Sequence, residues 1–148
     1  MNQNLSGSSS RRARGFTLVE ALVALLALSI GLLGIAAMQM SGLKSNLSAA
    51  WRSQATYLAY DIIDRMRANR SSRTLYATGP GAPPTPGGTV TLDLQSWRAN
   101  VQRTLPSGTG TVALSGPDNT IVTVTVQWDD SRGTDPNGPL IFTTRSRL

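Results

Sequence analysis

The chain has 148 residues and contains neither cysteine nor histidine, which excludes disulfides, thiol and imidazole catalysis, and zinc sites built from the usual ligands. Its formal net charge is +6, but Arg11, Arg12 and Arg14 carry three of those charges ahead of a single apolar run, and the rest of the chain sets 11 basic against 8 acidic residues. That residual balance is too weak to point to nucleic acid.

Residues 1–10, MNQNLSGSSS, are polar and hold too little apolar surface to fold. After the arginines come 23 residues, Ala21 to Leu43, without a charge. As a helix this stretch is about 34 Å long, enough to cross a hydrocarbon core of roughly 30 Å. The preceding basic residues favour a cytoplasmic N-terminus, a mild bias because Lys44 and Arg52 follow on the other side. A cleaved secretory signal has an apolar core of about 7–15 residues. This run is longer and leads straight into further helical periodicity.

Glu20, the only glutamate in the chain, stands at the mouth of that run. An ionised acid at mid-bilayer costs on the order of 2.5–3.5 kcal/mol on insertion scales, and less near a helix end. Two readings follow: a residue that reaches back to the interface, or a carboxylate that meets a cation within a bundle of such helices. In the first turn of a helix starting at Phe16 it also lies at the positive dipole end. Ala24, Ala27, Gly31 and Gly34 recur at spacings of 3, 4 and 3 and form a small-residue stripe. Such stripes let membrane helices approach closely, although Ala and Gly are also common there for compositional reasons.

The helical period continues past the uncharged run. Leu43, Leu47, Trp51, Ala55, Leu58, Ile62 and Met66 fall at spacings of 3 or 4, which predicts one helix from about Phe16 to Asn69, apolar all round at first and amphipathic later. Asp61 with Arg65, and Asp64 with Arg67, are spaced for i,i+4 and i,i+3 ion pairs. In residues 77–88, ATGPGAPPTPGG, eight of twelve residues are Gly or Pro, so helix and strand are expected to end there. Asp93 can then cap a short helix with Leu94, Trp97, Val101 and Leu105 on one face. Residues 110–116 read as a strand and PDN as a turn. Residues 120–128 alternate strictly, with Val122, Val124, Val126 and Trp128 on one side, the pattern of a half-buried antiparallel strand. Residues 140–148 complete the set. The expected organisation is a leader over 1–15, a helix over 16–72 with its membrane part at about 16–43, a Gly/Pro-rich linker over 73–92, and a globular head over 93–148.

At this point the residues carry a resemblance. RGFTLVEALVALL (14–26) resembles the class III signal of type IV pilins and their type II secretion relatives: a basic leader ending in Gly, an aromatic residue, then Thr-Leu-hydrophobic-Glu. GLLGIAAMQ, WRSQATYLAYDIIDRMRANR, LQSWRANVQRTLPSGTG and VTVTVQWDD resemble the type IV pilus modification proteins of the PilV family, which are minor pilins. The resemblance implies an α+β, type IV pilin-like fold, a long N-terminal helix packed on a small antiparallel sheet. It implies cleavage between Gly15 and Phe16 by prepilin peptidase, N-methylation of Phe16, and a Glu20 that directs assembly by pairing with a neighbour's N-terminus. The implied partners are other minor pilins, the major pilin, the pilus assembly platform and a tip adhesin. The implied location is the inner membrane with a periplasmic head, then the pilus tip. The chain departs from major pilins in lacking a cysteine pair and any proline within the helix. A minor pseudopilin of type II secretion shares the signal and fold, and residues 51–70 favour the pilus. A membrane-anchored binding module is the alternative from another class.

No enzyme and no cofactor is implied. Asp61/Asp64 and Asp129/Asp130 lack a base, nucleophile or metal partner in the pattern, and Asp129, Asp130 and Asp135 do not have EF-hand spacing. Arg65, Arg67, Arg70 and Arg73 are interleaved with aspartates and without aromatic platforms, as on a solvated helix end. Trp51, Trp97 and Trp128 read as core anchors.

Overall fold

The computed structural model describes residues 16–79, 88–133 and 138–148. It is α+β: a 51-residue helix α1 (Leu18–Ala68), a 3-10 segment (Arg70–Tyr76), a second helix α2 (Gly88–Thr104) and three strands, β1 (Thr109–Ser115), β2 (Ile121–Asp129) and β3 (Pro139–Arg147). The chain divides into two compact units, residues 1–40 and 41–148.

In the first unit every described residue is exposed. Among the described residues nothing packs on the apolar run, and Leu18 and Leu22 are 86% and 65% exposed. Ser29, a hydroxyl inside this run, donates to the Leu25 carbonyl at 2.7 Å and so needs no outside partner.

The second unit is the head. Its sheet is an antiparallel meander in the order β1-β2-β3, with Val124 opposite Val112 on one side and Thr144 on the other. The alternation in 121–129 does what period-2 patterning dictates: Val122, Val124, Val126 and Trp128 are buried, and the residues between them are half-buried. Those four join Ala55, Leu58, Ala59, Ile62, Ile63 and Met66 from α1, and Val90, Leu94, Trp97 and Val101 from α2, in one core. Burying each large side chain contributes roughly 1.5–3 kcal/mol. The β1–β2 connection turns through Gly116 (φ 78°) and then Asp118 and Asn119, both at φ 54°. Glycine enters that region freely, and Asp and Asn tolerate it better than other side chains.

Four expectations need correction. The stripe on α1 is not buried from its start: Leu43 and Leu47 are 65% and 40% exposed, Trp51 is half-buried, and the covered face begins at Ser48. Asp93 caps nothing, because α2 starts five residues earlier at Gly88, which leaves Asp93 inside the helix. The linker is correspondingly shorter. Residues 70–76 form the 3-10 segment, Thr78 bridges to Val112, residues 88–92 are helical, and residues 80–87 lie outside the described residues. The three strands run over 109–115, 121–129 and 139–147, each displaced by one residue from its expected span.

Candidate functional site

The candidate site is the start of α1. Thr17 precedes the first helical residue, and its Oγ1 accepts the Glu20 backbone N–H at 3.2 Å. Its carbonyl accepts the Ala21 N–H at 3.1 Å. A helix start leaves its first amide donors without partners, and a threonine hydroxyl at the N-cap satisfies one of them. With Glu20 three residues on, Thr17-Leu-Val-Glu20 has the spacing of a capping box. This local signal of a helix start stands within the motif RGFTLVEALVALL itself. Thr17 is therefore the residue that holds the helix start in shape.

Glu20 lies in the first turn of α1 and is exposed. Its carboxylate is favoured there by the exposed amide dipoles. Among the described residues no cation lies within ion-pair distance of it, the three ion pairs being Arg65–Asp61, Arg65–Asp93 and Arg67–Asp64. Phe16, 81% exposed, stands just before the helix. Gly15 lies outside the described residues. Ala24, Ala27, Gly31 and Gly34 all fall on α1 and are exposed. A methyl group built at Gly31 or Gly34 meets nothing within 4 Å, so these glycines leave open space on the helix surface.

Among the described residues of the head, the charged side chains engage one another and nearby polar groups. Arg65 is engaged by Asp61 at 3.1 Å and Asp93 at 3.4 Å, and donates to Ser96 at 2.8 Å. The Asp61 hydrogen bond is the main influence that raises its pKa. Asp93, read from the sequence as a cap, instead accepts from the Tyr76 hydroxyl. Burial, reinforced by that carboxylate, pushes the Tyr76 phenol up to about 12. Arg67 pairs with Asp64 at 2.8 Å, and Arg73 donates to the Asp118 carbonyl at 2.8 Å. Arg67 also donates to Ser146 of β3 at 2.8 Å, so Arg65, Arg67 and Arg73 each tie their segment to a neighbouring one. Asp129 accepts the Ser131 backbone N–H at 2.9 Å, the main cause that holds its carboxyl below the usual value. Asp130 is fully buried and accepts from Ser48 Oγ at 3.0 Å. Asp135 lies outside the described residues. Among the described residues no group of three or more acidic side chains converges as a metal site.

Residues 10–36 match the family model described as the prokaryotic N-terminal methylation motif. No curated protein and no solved structure matches the chain. Among the described residues α1 is the one helix long and apolar enough to cross a membrane, which fits membrane anchoring and incorporation into a pilus. The motif implies processing by prepilin peptidase and assembly with other pilins. Placed at the head of a long apolar helix that precedes a small antiparallel sheet, it supports a type IV pilin-like protein, pseudopilins included.

Proposed function

We propose that this chain is a minor pilin that joins other minor pilins to prime type IV pilus assembly at the pilus tip. The observation that carries this reading is the N-terminal methylation motif over residues 10–36, which begins a helix whose described residues up to position 40 are all exposed, the apolar ones included. In this reading residues 1–15 are a leader. Prepilin peptidase cuts between Gly15 and Phe16, and the new amino group of Phe16 is methylated. The exposed apolar surface first lies in the inner membrane, with the head in the periplasm, and then packs among neighbouring helices in the filament.

The mechanism is association rather than chemistry. Cleavage creates an ammonium four residues before Glu20. A neighbouring subunit offers an equivalent ammonium to the Glu20 carboxylate, and away from water such a pair is strong while a lone member is costly. Ala24, Ala27, Gly31 and Gly34 supply the close-approach face for neighbouring helices. Thr17 supports both by holding the first turn. The resemblance of residues 51–70 to pilus modification proteins favours the pilus over a secretion pseudopilus.

Mass spectrometry of the protein purified from cells tests the reading. The expected N-terminus is a methylated Phe16; a chain that still begins at Met1 overturns it. Deletion of the gene is expected to reduce surface pili, and an intact pilus count with impaired protein secretion would transfer the protein to the pseudopilins.

A further inference from the structure

The sheet ends on β3, and the hydrogen-bonding direction of each β3 residue can be worked out. Leu148 N–H donates to the Thr120 carbonyl at 2.9 Å, so Leu148 and Thr120 form a bonded pair. Bonded and non-bonded pairs alternate along an antiparallel ladder. Ser146, Thr144, Phe142 and Leu140 therefore direct their backbone groups to β2. Arg147, Arg145, Thr143 and Ile141 direct theirs to the open edge. The Thr125–Thr143 hydroxyl contact at 3.3 Å agrees, because side chains are closest in non-bonded pairs. Among the described residues nothing pairs with that edge, since β3 pairs only with β2. Pro139, lacking an N–H, ends the open row at its other end.

Two further features describe what fits there. On the core side, Val122, Val124, Val126 and Trp128 of β2 are fully covered, but Leu140, Phe142 and Leu148 are only partly buried against the same core. The sheet stops one strand short of sealing it. On the other side, Ile141, Thr143, Arg145 and Arg147 are exposed. Residues 138–148 contain no acid, and neither Arg145 nor Arg147 forms an ion pair among the described residues. An open edge of this length is a template for another chain, and natural proteins use it for strand addition.

We propose that the open edge of β3 receives an extended segment of another polypeptide as a fourth strand. That segment carries apolar side chains at alternate positions, which complete the cover over Leu140 and Phe142, and acidic side chains between them, which face Arg145 and Arg147. Main-chain bonds to the four outward-facing residues hold it, and the two arginines select its charge. The inference rests on the head alone and stands or falls separately from the N-terminal processing.

The test uses the full chain, isotope-labelled and held in detergent micelles, with synthetic nine-residue peptides as probes. One peptide alternates valine with threonine, glutamate, glutamate and threonine; its counterpart has lysines in place of the glutamates. Amide hydrogen exchange is read residue by residue. The glutamate peptide is expected to slow exchange at Ile141, Thr143, Arg145 and Arg147 at least tenfold, and the lysine peptide less than twofold. Thr143→Pro removes one outward N–H without touching a main-chain bond to β2, losing there only the exposed hydroxyl contact with Thr125, so it should abolish this protection while Phe142 and Thr144 stay protected. Arg145→Glu with Arg147→Glu should invert the preference between the peptides. No slowing, equal slowing by both peptides, or unchanged binding in Thr143→Pro overturns the proposal. Protection of the four amides before any peptide is added also overturns it, whether this chain or a second copy already occupies the edge.

Discussion

Gly110→Ala is a one-carbon change whose sign the structure decides. Gly110 lies in β1 opposite Val126 and is not among the glycines with positive φ, so its backbone accepts any side chain. On that ground alone, alanine would stabilise by about 0.4–1 kcal/mol by restricting the unfolded chain. The space forbids it. A Cβ at Gly110 would stand 2.4 Å from the ring of Trp97, well inside contact distance. Trp97 cannot slide away freely, because it is fully buried and its indole N–H donates to the Leu58 carbonyl at 2.8 Å. Overpacking of this kind costs about 1–3 kcal/mol, and losing a buried hydrogen bond adds about 0.5–1.5 kcal/mol. We expect a net destabilisation of about 0.5–4 kcal/mol, the sum of these less the backbone gain. The assay is urea denaturation of a form that starts at Met38, which keeps every buried residue, the first being Ser48. Tryptophan fluorescence follows the transition. The decisive measurement is a double-mutant cycle with Trp97→Leu, whose smaller side chain removes the clash. Gly110→Ala should be neutral or stabilising in the Trp97→Leu background. An equal cost in both backgrounds would place the penalty in the strand and not in the ring.

Two further outcomes are expected. Glu20→Gln should leave membrane insertion, cleavage and head folding intact, because none uses the charge, yet reduce co-purification of partner pilins and the number of pili. Glu20→Asp should be intermediate, and normal piliation in Glu20→Gln would reduce Glu20 to its part in the first helical turn. Tyr76 holds its proton more tightly folded than unfolded, with its pKa raised from 10.0 to about 12. Its contribution to stability is thus complete below about pH 10 and is lost as pH rises through 12. Tyr76→Phe should be less stable at pH 7, having lost a hydrogen bond to a charged acceptor worth about 1.5–3 kcal/mol. It should also show a shallower loss of stability between pH 10 and 12 in denaturation curves recorded across that window; an unchanged alkaline slope would show that Tyr76 is not the group responsible.

Features whose physics is short-range are legible in the chain alone. The helical period through Ala55, Leu58, Ile62 and Met66 and the alternation through Val122, Val124, Val126 and Trp128 identify an element and its inward face. Backbone geometry sets those periods whatever packs opposite. The i,i+4 pair Asp61–Arg65 and the motif around Phe16 and Glu20 were legible for the same reason. Tertiary structure decided which inward face finds a cover. Leu43 and Leu47 keep the period of the stripe and remain exposed, while Ser48, off the stripe, is buried with its hydroxyl donating to Asp130, 82 positions away. Asp93 has the residue type of a cap, yet folding places it beside Tyr76 and Arg65, from the 3-10 segment and α1, and its carboxylate serves them instead. Gly110 reads as a weak strand residue, and only the Trp97 ring, brought from α2, makes its missing side chain a requirement. The open edge of β3 belongs to the same class. Strand order and ladder phase arise from pairings between distant segments, and a period in one segment carries no record of which neighbour it lacks.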